Sequence, residues 1–464
     1  MSAKGTIASL TLYVNRGITP KYTEDKERAI PVLNQKCIRG HKVNLEPARL
    51  NDLSKRKVTA EKILEKYDVL INSTGVGTLG RVAQFYGETG SATVDSHVTI
   101  VRPNPELIDP IYFGYLVKFK QSLIEGFAEG TTGQTELARD SVKELVVEYI
   151  DDYKTQKQVG LALLAIDKKI EINRQTNQTL EHIAQAIFKS WFVDFEPTRA
   201  KISAKQAGQD PERAAMAAIS GLSITDAAGA PLDELDQLSP EQQEQLKATA
   251  ALFPDALVDS ALGEIPEGWE VSQLGEIIEF NPRRTLKKGE LAPYLDMKNV
   301  PTKGHLAEDV YLREMGSGTK FINGDTLLAR ITPCLENGKT AYVDFLDEGQ
   351  VAWGSTEYII MRPKDGRSLS LAYLIARLDS FRTQAIQTMT GTSGRQRANA
   401  KALSEQVWLN YPLELLEVFD TYSSNYLKQA RSNGNENKYL AQLRASLLPQ
   451  LLSGELSAQS RRDI

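Results

Sequence analysis

The sequence predicts an α/β (α+β) fold with two similar globular domains separated by two long antiparallel helices, paired as a coiled coil and related by a pseudo-twofold internal repeat. Three observations lead there. Short motifs recur about 260 residues apart: Asp68-Val69-Leu70 as Asp325-Thr326-Leu327, Arg102-Pro103 as Arg362-Pro363, and Gly130-Thr131-Thr132-Gly133 as Gly391-Thr392-Ser393-Gly394. Two segments carry apolar residues at alternating steps of four and three, the seam of a coiled coil. The remainder alternates short apolar runs with Gly, Pro, Asn and Ser, the pattern of strands joined by tight turns. The repeat is too long for a solenoid unit of roughly 20–50 residues, so each copy is a whole domain plus a connecting element.

The first domain is expected over residues 1–150. Asp68 to Ile71 and Val94 to Val101 read as strands, and Tyr112 to Phe119 has helical spacing. A long helix follows over 151–195. Its seam runs Val159, Leu163, Ile166, Ile170, Asn173, Asn177, Leu180, Ala184, Ile187 and Trp191. At 1.5 Å per residue, Asp151 to Phe192 spans about 63 Å. Residues 196–262 form an acidic linker in which Glu212 to Ile219 and Pro240 to Leu252 have helical character. A second domain over 263–412 repeats the first, with a strand at Tyr358 to Met361 and helical spacing from Leu371 to Phe381.

The second helix, with the C-terminal tail, covers 413–464. Its seam is Phe419, Tyr422, Tyr426, Gln429, Asn433, Glu436, Leu440, Leu443 and Leu447. Asn173 and Asn177 align with Asn433 and Asn437, and buried amides in an apolar seam penalise wrong registers because an unpaired amide loses its hydrogen bonds. The simplest packing of two equal struts is antiparallel, with the domains at opposite ends, a caliper of fixed span.

The formal net charge is −5, but it is unevenly placed. Between Ala207 and Glu264 there are 11 acidic residues against Arg213 and Lys247 alone, which leaves 53 basic and 49 acidic residues elsewhere. The repeated parts are mildly basic, so charge permits a nucleic-acid partner without proposing one. No apolar run approaches the roughly 18 residues that cross a bilayer, and the first residues lack a signal-peptide layout, so a cytoplasmic protein with no membrane partner is expected. Cys37, Cys334 and the four histidines are scattered, which supports neither a disulfide nor a metal centre.

Gly75-Val76-Gly77-Thr78-Leu79-Gly80 matches the dinucleotide fingerprint, but Arg81 to Tyr86 alternates as a strand where a phosphate-binding helix should open. Gly338-Lys339-Thr340 resembles the end of a P-loop, yet Pro333 stands where the first glycine belongs. Both segments read instead as hairpins carrying Arg81, Arg330 or Lys339 outward. The recurring Gly-Thr loop has a shared small-residue frame and divergent long side chains: Gln134 in the first copy, and Arg395, Gln396 and Arg397 in the second. Small residues let backbone amides approach phosphates, and Gln and Arg can read base edges. No constellation of catalytic residues is evident.

Three strings together resemble the specificity subunit of type I restriction-modification systems. They are Ile183-Ala184-Gln185-Ala186-Ile187-Phe188-Lys189-Ser190-Trp191-Phe192-Val193-Asp194-Phe195, Leu262-Gly263-Glu264-Ile265-Pro266-Glu267-Gly268-Trp269, and Leu447-Leu448-Pro449-Gln450-Leu451-Leu452-Ser453-Gly454-Glu455-Leu456. The likeness extends over essentially the whole chain. No Pro-x-Gly-Trp lead-in precedes Gly5, so the first strand is expected to be short.

The resemblance implies a non-catalytic reader of double-stranded DNA. Two target-recognition domains would each bind half of an asymmetric bipartite site, and the helices would set the spacing while docking two modification subunits. Those partners would use S-adenosylmethionine to methylate adenine at N6, and restriction subunits would add ATP- and Mg-dependent translocation and cleavage. No cofactor is implied in this chain. DNA contact is assigned to Arg81, Gln134, Arg330, Lys339, Arg395, Gln396 and Arg397. The helix pair or a subunit interface is assigned to Ile166, Ile170, Asn173, Asn177, Leu180, Ile187, Trp191, Phe192, Tyr426, Asn433, Leu440, Leu443, Leu447 and Leu451, with Phe195 and Leu452 beside them. The competing readings are a coiled-coil scaffold for proteins and an enzyme with an unrecognised site.

Overall fold

A computed structural model describes residues 2–129, 136–225, 233–364, 366–392 and 394–454. The chain divides into two compact units, Met1–Glu171 with Asn437–Ile464, and Ile172–Glu436.

In the first unit, Thr11–Arg16, Val98–Pro103, Val69–Asn72 and Val82–Gln84 lie side by side in that order as an antiparallel sheet. Val69–Asn72 is buried at every position, which is why its sequence is a continuous apolar run and not an alternation. A second sheet runs Thr93–Val94, Ala29–Leu33, Arg49–Asp52, Tyr22–Thr23, and its first two strands are parallel. The run Val94 to Val101 is therefore two strands. Asp95 separates them, its carboxylate accepting the His97 amide (2.9 Å) in a turn that sends the chain from one sheet to the other. Ser2–Thr6 pairs along its whole length with Val146–Ile150, so the first strand is not the short one expected.

The second unit repeats this plan. Ile278–Phe280, Tyr358–Pro363, Thr326–Ala329 and Thr340–Tyr342 form the antiparallel sheet. Tyr311–Glu314, Leu291–Leu295, Ala352–Gly354 and Thr319–Phe321 form the other, again with one parallel pair, and Glu270–Gln273 pairs with Val407–Asn410. The recurring Asp and Arg-Pro motifs have a common structural cause. Arg102 donates through Nε and Nη2 to both oxygens of Asp68, each at 2.9 Å, and Asp68 also accepts the Glu65 amide at 2.8 Å. Arg362 donates to Asp325 at 2.7 Å, and Asp325 accepts the Ile322 amide at 2.9 Å. Each pair ties the two central strands of its sheet together at one end.

The long helices are Tyr153–Phe192 and Leu413–Ser453. Within the first unit Val159 and Leu163 share a core with Leu452, and Leu448 and Leu451 pack against it. The Tyr112 hydroxyl donates to the Leu452 carbonyl (2.8 Å) and accepts from the Ile150 amide (3.1 Å). Asp167 accepts from the Tyr115 hydroxyl (2.6 Å) and pairs with Arg444. Lys118 lies with its ammonium 4.6 Å from the Tyr115 ring, and burial lowers it to about 8 although Asp167 pulls the other way.

Within the second unit the helices run antiparallel, Asn173 bonding Glu436 (2.8 Å), Asn177 bonding Asn433 (2.8 Å), and Phe188 meeting Phe419 with ring centroids 5.7 Å apart. Ile166, Leu180, Ile187, Tyr426, Leu440, Leu443 and Leu447 are half-buried, and Ile170, Asn173 and Asn433 are buried. The second seam needs one correction. Gln429 is exposed, and Ala430 takes the inward position, its carbonyl accepting the Asn177 side chain (2.9 Å).

Trp191, Phe192 and Phe195 are buried in the core of the second unit with Phe253, Trp269 and Phe419, an aromatic cluster in edge-to-face contact. The described residues of the acidic segment are folded as well. Pro211–Ser220 and Pro240–Ala251 match the expected helices, and Glu196–Gln206 is an additional one. Its Pro197 sits in the first turn, where proline starts a helix instead of breaking it. Ala215, Met216, Leu235 and Ala250 give this segment a small core, and the buried Lys201 ammonium bonds Glu212 (2.7 Å) and the Phe253 carbonyl (2.9 Å). Among the described residues no helix is long and apolar enough to cross a membrane.

Candidate nucleic-acid interface

In the second unit the Gly-Thr loop is folded back on the connection between Thr326–Ala329 and Thr340–Tyr342. Gly391 (φ +125°) and Gly394 (φ +77°) adopt conformations that favour glycine, which accounts for the two glycines of this loop. Arg397 bridges to both Thr390 and Ile331, and the Ala398 amide donates to the Arg330 carbonyl (2.8 Å). The Thr332 amide donates to the Gln396 carbonyl (3.1 Å), and the Gln396 amide to the Thr332 hydroxyl (3.2 Å). Arg330, Arg395, Gln396 and Arg397 are thereby brought together.

Their exposures differ. Arg395 and Arg397 are exposed, and Gln396 and Arg330 are half-buried. The Arg330 Nε is buried and has no hydrogen-bond partner among the described residues. Arg397 is paired with Glu357, donating through Nε at 2.9 Å and Nη2 at 2.7 Å, and the carboxylate raises the guanidinium further above its ordinary value. Lys339 departs from the expected outward pose. Its ammonium donates to the Met297 (2.7 Å) and Lys298 (3.2 Å) carbonyls, which lie within reach of the hairpin. The same hairpin is clamped by Arg377, which donates to the carbonyls of Thr302 (3.0 Å), Gly338 (2.9 Å), Thr340 (2.9 Å) and Gly304.

In the first unit, Gln134 lies outside the described residues. The residues after it hold the equivalent position: Thr74 bridges to Glu136, and the Leu137 amide donates to the Ser73 carbonyl (2.8 Å). Glu136 is paired with Arg16, whose Nη2 also donates to the Leu137 carbonyl (2.9 Å). Arg81 is half-buried and donates to the Gly77 carbonyl (2.7 Å), within the left-handed turn of Gly75, Gly77 and Gly80. A strand, Val82–Gln84, follows that turn, so no helix N-terminus meets it as a dinucleotide site requires. Sequence reasoning missed Arg16, Glu136 and Glu357. The signal for one of them was present, since Glu136 stands opposite Arg397 when the two Gly-Thr loops are superposed in sequence.

The family model for the type I restriction modification DNA specificity domain matches residues 266–412, which hold the second sheet pair and its Gly-Thr loop. Residues 266–412 are a type I restriction-modification DNA specificity domain, and the chain as a whole is similar to the specificity subunits of such systems. It is 28% identical over 420 residues to the type I restriction enzyme HindI specificity subunit of Haemophilus influenzae, covering 86% of this chain and 88% of that subunit. It is 32% identical over 157 residues to the EcoEI specificity subunit of Escherichia coli, covering 32% of this chain and 25% of that one. The fold resembles the crystal structure of the type I restriction-modification S subunit from M. genitalium, with a TM-score of 0.54 and 15% identity over 97% of this chain and 96% of that one. DNA target recognition is accordingly the function of this chain.

Proposed function

We propose that the two units each read one half of an asymmetric, bipartite DNA target, and that the long helices fix the spacing between the halves while docking two modification subunits. The observation that carries this reading is a copied frame with an uncopied surface. The strand order of the antiparallel sheet, the presence of one parallel pair in the other sheet and the buried Asp–Arg pair are the same in both units, whereas the side chains presented from the Gly-Thr loop differ, Glu136 standing where the other unit has Arg397. One frame with two sets of readers suits a ligand whose halves differ in sequence.

On this reading the chain performs no chemistry itself and works in the cytoplasm. Modification subunits would bring S-adenosylmethionine and methylate adenine at N6, with the target base swung out of the duplex into their pocket, and restriction subunits would bring ATP and Mg. A chain of modest charge is compatible with DNA binding because its partners can supply much of the phosphate clamp. The test is binding of the assembled complex to duplexes carrying both half-sites, one, or neither, across a salt series. Tight binding only with both half-sites supports the reading, and equal binding to all three duplexes refutes it.

A further inference from the structure

We propose that Arg397 reads a guanine in the half-site bound by the second unit, with Glu357 holding its guanidinium in the reading pose. This rests on the reading of one half-site per unit. Arg397 spends one edge of its guanidinium, Nε and Nη2, on the Glu357 carboxylate. Nη1 also donates to the Arg395 carbonyl at 3.3 Å, and its second hydrogen, with the remaining one on Nη2, forms an edge that matches the O6 and N7 acceptors of guanine in the major groove. Its backbone is held on both sides by the bridges to Thr390 and Ile331. The side chain therefore has little freedom left to lose when it meets a base.

The neighbouring carboxylate also decides between base and phosphate. An arginine that only clamps the backbone gains nothing from a carboxylate alongside, since Glu357 would repel the phosphate. Beside a base pair the same carboxylate is tolerated, because the cytosine opposite guanine offers an amino donor in that groove. The first unit inverts the arrangement. There the more exposed partner is the carboxylate, Glu136 at 56% against Arg16 at 29%, whereas in the second unit it is the guanidinium, Arg397 at 43% against Glu357 at 22%. From equivalent places, one unit presents an acceptor suited to the amino groups of cytosine or adenine and the other a donor fork suited to guanine.

The test uses the full chain expressed with its modification partners in a host lacking other DNA methylation, with the methylated motif read by sequencing. The wild type should give one bipartite motif, and its absence would overturn the underlying reading regardless of Arg397. Arg397→Gln should make one guanine position of one half-site degenerate, with discrimination there falling about 10- to 100-fold and the other half-site unchanged. Arg397→Lys, which lacks the fork, should not restore it. Unaltered base preferences in Arg397→Gln, or equal weakening of both half-sites as loss of a phosphate contact would give, would overturn the proposal. If Arg397→Gln abolishes methylation altogether, Glu357→Gln decides: a smaller loss confined to one guanine position supports the assignment, and an unchanged motif overturns it.

Discussion

Asn433 donates its side-chain amide to the carboxamide oxygen of Asn177 at 2.8 Å, and Asn177 donates in turn to the backbone carbonyl of Ala430 at 2.9 Å. The polar middle of the helix seam is thus a closed set of hydrogen bonds between the two helices and not a wet gap where they splay apart. Leucine at Asn177 alone strands a buried amide and should cost about 1–3 kcal/mol in denaturant unfolding. Leucine at both positions should recover most of that loss, because an apolar pair leaves nothing unsatisfied. A double variant as unstable as the single would show that the pair acts through something other than its hydrogen bonds.

Arg102 is nearly buried, and Asp68, 1% exposed, is its main counter-ion. Asp68→Ala leaves that charge without its principal partner and should destabilise the first unit by about 3–5 kcal/mol. Asp325→Ala should act similarly in the second unit, where it releases both Arg362 and Arg284. Thermal melts of the two variants check this, and replacing both members of a pair by apolar residues of similar size should cost less than removing the carboxylate alone.

Burial lowers Lys118 from its ordinary 10.5 to about 8. A lysine with a depressed folded value binds fewer protons when folded, so its strain is greatest below pH 8 and is relieved as pH rises towards 10.5. Lys118→Met should therefore be more stable than the parent at pH 7, by about 1–2 kcal/mol after the loss of the ring contacts. The advantage should shrink to nothing by about pH 10.5. Unfolding measured at pH 7, 8.5 and 10.5 gives the sign directly.

Adding seven residues to each long helix lengthens it by about 10 Å while keeping its seam in phase. The complex should then methylate a target whose spacer is longer by about three base pairs, since each adds roughly 3.4 Å. An unchanged spacer would mean that the helices do not set the distance.

Much of the frame was legible because it is written in periodic or repeated form. The seam residues, the paired Asp and Arg-Pro motifs and the strand after Gly80 all announce themselves through spacing. What could not be read was set by contacts distant in sequence. Arg16 meets Glu136 across 120 positions and Arg397 meets Glu357 across 40, and no local pattern marks either pair. Lys339 misled for a related reason: a lysine in a glycine-flanked turn reads as solvent-facing, but here the carbonyls of Met297 and Lys298 lie within its reach. Ala430 replaced Gln429 in the seam because the Asn177 hydrogen bond fixes a helix rotation that the heptad count alone leaves loose by one position.

The first unit closes with residues from the far end of the chain, Leu452 in its core and its carbonyl on the Tyr112 hydroxyl. The second unit is one uninterrupted stretch, Ile172–Glu436. During synthesis the order of completion is therefore the reverse of the order of translation. All residues of the second unit are made once Glu436 is added, while the first, begun earlier, lacks part of its core until Leu452 follows. A chain cut after Glu436 would keep every residue of the second unit and leave Val159 and Leu163 of the first without the cover of Leu448, Leu451 and Leu452.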